Sequence, residues 1–159
     1  TGKFMIELSD GDLKDLVKDQ VNILKVVAKQ HNMTLELTID KNVPNVKIDI
    51  DKIRQVIQNF IDNAIYYSMP NSKIKISSDF EGKQVVFSVK ETGIGVPADE
   101  QPQLFSRFFR AGNARRRRPD GTGIGLYLAK KVVSLHEGEI IFHSQENKGS
   151  TFGFMLPVK

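Results

Sequence analysis

The sequence predicts a two-layer α+β sandwich: a mixed, mostly antiparallel sheet of about five strands packed on about three helices. Three observations carry this. Two long stretches of helical periodicity, from Asp12 to Asn32 and from Asp51 to the turn before Pro70, occupy the first half of the chain. Short alternating apolar segments follow, joined mostly by hairpin turns and not by the long crossovers that a parallel sheet requires. The chain has 159 residues, 40% hydrophobic and 26% charged, the size and composition of one globular domain.

Residues 1–10 read as a lead-in segment in which Phe4, Ile6 and Leu8 alternate, and the domain proper spans 11–159. Ser9-Asp10-Gly11-Asp12 brings turn and N-cap chemistry. Leu13, Leu16, Val17, Val21, Leu24 and Ala28 then mark the buried face of a first helix, with Asn32 as its stop. Leu35, Leu37 and Ile39 alternate as a strand, and Val43-Pro44-Asn45 turns into a short strand over Val46–Ile50. Asp51 is the expected N-cap of a second helix, buried through Ile53, Val56, Ile57, Phe60, Ile61, Ala64 and Ile65. Strands begin at Ile74 and at Val85, with Glu81-Gly82-Lys83 as their hairpin turn. A short helix is expected around Gln101 to Phe108, and another from Gly125 to His136 that ends at Gly138. Ile140–Phe142 and Phe152–Leu156 close the chain as strands joined by the turn Glu146–Gly149.

Composition excludes several functions. With no cysteine there is neither a disulfide framework nor a thiolate metal site. No apolar run approaches the roughly 20 residues that span a bilayer, and no signal peptide is expected. The first residue is Thr, so the chain is expected to be a fragment of a longer protein. The net charge of +4 comes largely from Arg107, Arg110 and Arg115 to Arg118, one local cluster, and so argues against a nucleic-acid-binding face.

Three constellations carry chemistry. Asn59 and Asn63 stand four apart on one face of the second helix. Carboxamides projecting from a buried helix need partners, which neighbouring backbone, a metal ion or a phosphate can supply. Glu91-Thr92-Gly93-Ile94-Gly95-Val96-Pro97 puts an acid at a strand end before a glycine turn. Gly121-Thr122-Gly123-Ile124-Gly125 runs into a helix start, where backbone N–H groups and the helix dipole favour an anion. It has neither the dinucleotide-binding spacing nor the Walker spacing.

Together these stretches resemble the catalytic ATP-binding domain of bacterial sensor histidine kinases, a branch of the Bergerat-fold ATPases. Five motifs stand in the family's order: an N box (Asn59 to Ser68), a G1 box (Glu91 to Pro97), an F box (Leu104 to Arg110), a G2 box (Gly121 to Leu126) and a G3 element (Lys148 to Phe154). The resemblance implies that ATP and Mg²⁺ are bound, the ion by Asn63, with Asn59 beside the phosphates and Tyr67 among the ATP contacts. It implies that Glu91 meets the adenine amino group, that Gly93, Ile94 and Gly95 form the loop along the base, and that Thr151 lies near the adenine edge. Arg110 is directed at the terminal phosphates and, with Asn59, is the expected catalytic contact. Gly121, Thr122, Gly123, Ile124, Gly125 and Leu126 hold the phosphates. Arg115 to Arg118 fall in an ATP lid, expected to be disordered without nucleotide, and most of that run reads as solvated.

The hydrolytic relatives carry a glutamate at the Asn59 position. An amide there cannot act as a base near neutral pH, which suits a domain that transfers phosphate instead of hydrolysing ATP. Two departures stand out. Glu91 replaces the usual aspartate, and Tyr66 replaces a lysine that helps to hold phosphate. Weaker ATP binding is expected from the first, and compensation by the lid arginines from the second.

None of His31, His136 or His143 has the H-[ED]-x-x-x-P context of a phosphoacceptor. The resemblance therefore implies that the acceptor histidine lies on a separate helical dimerisation domain, joined through the segment at 1–10. It implies a homodimer in the full-length protein, a response regulator downstream, a cytoplasmic location and a monomeric isolated domain. A degenerate nucleotide-sensing module and a self-contained Bergerat ATPase are the alternatives.

Overall fold

The computed structural model describes residues 5–117 and 125–158. In chain order the elements are β1 (Ser9–Gly11), α1 (Leu13–Gln30), β2 (Thr34–Ile39), β3 (Val46–Ile48), α2 (Ile50–Tyr67), β4 (Lys73–Glu81), β5 (Gln84–Glu91), a 3-10 turn (Gln101–Gln103), α3 (Gly112–Arg117), α4 (Gly125–Leu135), β6 (Glu139–Gln145) and β7 (Gly149–Pro157). Five strands form one sheet in the order β2-β4-β5-β7-β6, and β1 and β3 pair separately. Every pair in the large sheet is antiparallel except β2 with β4. The expected mixed sandwich is what forms, with three long helices and the six-residue α3 among the described residues. No described helix is long and apolar enough to cross a membrane.

Strand alternation decides which side of the sheet the helices cover. Ile74 and Ile76 on β4, Val85, Phe87 and Val89 on β5, and Phe154 and Leu156 on β7 are buried against α1, α2 and α4. Phe60, Ile57 and Ile61 on α2 are fully buried at the centre of this core.

The helix ends correct several expectations. Asp49, not Asp51, caps α2: its carboxylate accepts from Lys52 N–H at 3.1 Å, whereas the exposed Asp51 pairs with Arg54. Burial by itself would raise the Asp49 pKa. It is nevertheless lowered, because the Glu7 and Lys52 backbone N–H groups and the Lys52 ammonium all favour the carboxylate. The Asp49 N–H donates to His136 Nε2, and His136 Nδ1 stands 2.7 Å from Val132 O, so the imidazole ties the start of α2 to the end of α4. That end turns through Glu137, at φ 60°, and not through Gly138. The lead-in also differs: Met5 and Leu8 are exposed, and the strand is Ser9–Gly11, where a turn was expected. In place of a helix over Gln101 to Phe108 there is only the 3-10 turn, and Phe108 sits at φ 64°, outside helical geometry. The arginine run, expected in a loop, begins on α3.

Candidate functional site

A cavity of about 500 Å³ lies between α2, the loop after β5, the segment leading into α3, and the start of α4. That is the size of a nucleotide-scale ligand site. Asn59, Asn63, Tyr67, Glu91, Ile94, Gly95, Arg110, Gly125 and Leu126 line it, residues spread over more than sixty positions of sequence and gathered by the fold into one wall.

At one end stands Glu91, the last residue of β5 and only 4% exposed. A buried carboxylate requires donors, and Ser68 Oγ–H supplies one at 3.3 Å. Gly93 lines no part of the cavity yet makes this arrangement possible. A Cβ at that position would lie 1.9 Å from Tyr67 O and 2.4 Å from Glu91 Oε2. The bare Cα lets the loop close onto the end of α2, where Ile94 N–H donates to Tyr67 O and Met69 N–H to Thr92 O. On its other side the loop is held by the β6–β7 hairpin: Val96 N–H donates to Ser144 Oγ, and Asn147 N–H to Ile94 O.

One to two turns back along α2 stand the two asparagines, and Arg110 bonds between α2 and α3. Asn63 Nδ2 donates to Asn59 Oδ1 at 3.4 Å, and the Asn63 oxygen accepts from no other described residue. A carboxamide oxygen is a hard donor suited to Mg²⁺, so this pair fits the ion that the family resemblance implies. Gly125 opens α4 directly against Asn59: a Cβ there would lie 2.2 Å from Asn59 Nδ2. Arg110 Nη2 donates to Tyr67 Oη at 3.0 Å and to Ala114 O at 3.1 Å. The cavity therefore has a buried carboxyl group by the end of α2, two carboxamides one to two turns back along that helix, and the Arg110 guanidinium in the same wall. That set of groups matches a ligand with a donor-bearing ring and a polyanionic tail.

One further expected residue stands elsewhere, and so does the departure at Tyr66. Thr151 is one position out of phase: it pairs with Lys90 and His143 on the open face of the sheet. Its neighbour Ser150, opposite Glu91 and 6% exposed, lines the cavity instead. The signal was in the sequence, since Ser150 shares a face with Phe152 and Phe154, the apolar residues of its own strand. Tyr66 turns away, packing its ring edge-on against His31 at 4.9 Å. Gly121, Thr122, Gly123 and Ile124 lie outside the described residues, as does Arg118. The F box is seated by Phe105, which meets Phe142 and Phe152 edge-on, with Leu104 buried beside them. Asp62 also lines the cavity, one residue before Asn63, and carried no signal of its own.

The chain matches the family described as histidine kinase-, DNA gyrase B-, and HSP90-like ATPase over residues 48–159. It is 37% identical over 168 residues to the sensor histidine kinase WalK of Bacillus subtilis (strain 168), an alignment covering 98% of this chain and 28% of WalK. The signal transduction histidine-protein kinase ArlS of Staphylococcus aureus (strain USA300) is 32% identical over 160 residues, covering 93% of this chain and 35% of ArlS. The nucleotide-free catalytic domain of histidine kinase ThkA superposes with a TM-score of 0.82 at 29% identity, over 96% of each chain. ThkA solved in complex with the response regulator protein TrrA superposes at 0.78 and 26% identity, over 97% of this chain and 42% of that one. The chain thus spans about a third of the length of the curated relatives it matches. With its motifs gathered around one polar cavity and its fold shared end to end with ThkA's catalytic domain, the chain belongs to the histidine kinase-, DNA gyrase B-, and HSP90-like ATPase family, as a catalytic ATP-binding domain of the sensor histidine kinase kind.

Proposed function

We propose that the chain holds Mg-ATP in this cavity and donates the γ-phosphoryl group to a histidine on a separate dimerisation domain. The observation that carries the proposal is the make-up of the cavity, which gathers Glu91, Asn59, Asn63 and Arg110 in one wall. Glu91, braced by Ser68, accepts from the adenine amino group, and Ser150 stands beside it. The loop carrying Ile94 and Gly95 lies along the base. Bound Mg²⁺ would neutralise phosphate charge, and the Asn63 carboxamide oxygen would hold it. Arg110 adds a fixed cation at the terminal phosphates, since phosphoryl transfer depends chiefly on positioning and charge neutralisation. Asn59 offers no base to activate water, which disfavours a self-contained ATPase.

In the full-length protein the domain serves a homodimer whose helical phosphoacceptor domain lies outside this chain, with a response regulator downstream, as ThkA has TrrA. Drawing on ATP, it works in the cytoplasm, and the isolated domain is a monomer. The test is to mix the chain with a matching helical hairpin and labelled ATP. Phosphohistidine on the hairpin is the expected result. Nucleotide binding without transfer would refute the kinase reading and favour the nucleotide-sensing alternative.

A further inference from the structure

The first turn of α3 touches both the loop after β5 and Arg110, and Asn113 itself does not line the cavity. The Asn113 side-chain amide donates to Gly95 O at 2.9 Å and to Ile94 O at 3.3 Å, which fixes it to the base-side loop. The carbonyl of the very next residue, Ala114, accepts from Arg110 Nη2 at 3.1 Å. Both anchor points lie in the first turn of α3, whose helical backbone couples the side-chain anchor on the Gly95 loop to the carbonyl that holds Arg110. Gly112 N–H, donating to Glu100 Oε2 at 3.1 Å, seats the start of the helix. Asn113 Oδ1 is buried with no hydrogen-bond partner among the described residues. An unsatisfied buried acceptor is destabilising, so the amide at this position is not explained by stability alone; what it contributes is its pair of donors.

We infer that Asn113 is a positioning residue for Arg110, tying the arginine that faces the phosphates to the loop that holds the base. The inference rests on the ATP reading above. Without the Asn113 donors, Ala114 O loses its connection to the Gly95 loop, and Arg110 loses a fixed acceptor on the α3 side. ADP lacks the phosphate that Arg110 grips, so the preference for ATP over ADP reads the arginine's contribution, while adenine contacts cancel from the ratio.

The experiment titrates the unsubstituted chain, Asn113→Ala, Arg110→Ala and the double variant with Mg-ATP and Mg-ADP by calorimetry, with thermal unfolding as the check on folding. Arg110→Ala is expected to cut the ATP-over-ADP preference about tenfold, the loss of a charge-assisted bond. Asn113→Ala should cut it about threefold or more through that same interaction, and add nothing further in the Arg110→Ala background. Asn113→Asp keeps the shape but turns an acceptor toward two carbonyls, and should lose the preference at least as far. Equal weakening of ATP and ADP by Asn113→Ala, a preference retained in Asn113→Asp, or effects that multiply in the double variant would each overturn the inference. If the unsubstituted chain binds neither nucleotide, the ATP reading falls as well.

Discussion

Gly93→Ala tests the geometry on which the whole base end depends. The added Cβ would stand 1.9 Å from Tyr67 O and 2.7 Å from Tyr67 C. Both are backbone atoms, so no side-chain rotation relieves the contact. Bringing 1.9 Å out to the 3.0 Å below which real Cβ contacts essentially never fall requires the strands of chain to separate by 1.1 Å. The Ile94 N–H bond to Tyr67 O, now 3.2 Å, is then lost, and the Met69 N–H bond to Thr92 O, now 2.7 Å, is stretched beyond use. Two loop hydrogen bonds at about 1 kcal/mol each, with about 1 kcal/mol of overpacking strain, sum to roughly 3 kcal/mol. At about 2.1 cal/mol/K of unfolding entropy per residue, 159 residues give about 0.33 kcal/mol/K, so the melting temperature should fall by about 9 °C. The same Cβ would lie 2.4 Å from Glu91 Oε2, which moves the carboxylate, and ATP affinity should fall at least about tenfold.

The control is Gly82→Ala. Gly82 sits at φ 61° in the β4–β5 turn with nothing within 4 Å of its would-be Cβ, so it meets only the left-handed backbone penalty. That is about 1 kcal/mol, or about 3 °C, with ATP affinity unchanged. Calorimetric melting and nucleotide titration of both variants decide the matter. A Gly93→Ala protein that melts no lower than Gly82→Ala and binds ATP normally would refute the close approach of the loop to α2.

Two further outcomes follow from the same contacts. Glu91→Asp should bind ATP more tightly, because the shorter side chain restores the length usual in the family, while stability falls by about 1 kcal/mol for the buried methylene removed; unchanged or weaker ATP binding would count against the reading. Asp49→Asn should be less stable at neutral pH by roughly 1.5 kcal/mol, the charge-assisted part of its bonds to Glu7, Lys52 and the Lys52 ammonium. Because the folded-state pKa of Asp49 is lowered, its contribution is present above the ordinary value of 3.8 and is lost as pH falls through the folded-state value below it. The stability gap between the two proteins should therefore close in acid, and a gap that persists there would show that the carboxylate is not favoured by folding.

Much of this molecule is legible in local sequence. The helical spacing of Leu13 to Ala28 and of Ile53 to Ile65 marks α1 and α2, because a 3.6-residue period needs only near neighbours to be read. The hairpin at Gly82 is equally local. The five motifs and their order name the family, and the composition of each motif names its chemistry. Finer placements escape such reading. Asp51 and Asp49 are both competent caps, and the choice of Asp49 rests on Glu7 and His136, distant in sequence. Nothing in the basic run announces α3, since Asn113 acquires its role only where the Ile94 and Gly95 carbonyls come to meet it.

What the sequence by itself determined is the set of chemical groups and the elements that carry them. Only the tertiary structure decided which of those groups face one another. Thr151 and Ser150 are equally good hydroxyls on paper, yet the pairing of Glu91 with Ser150 across β5 and β7 turns one into the cavity and the other onto the open face. Asn59 meets Gly125 because α2 packs beside α4. These choices depend on register and helix packing, whose free energies arise between residues far apart in the chain, so no local window of sequence contains them.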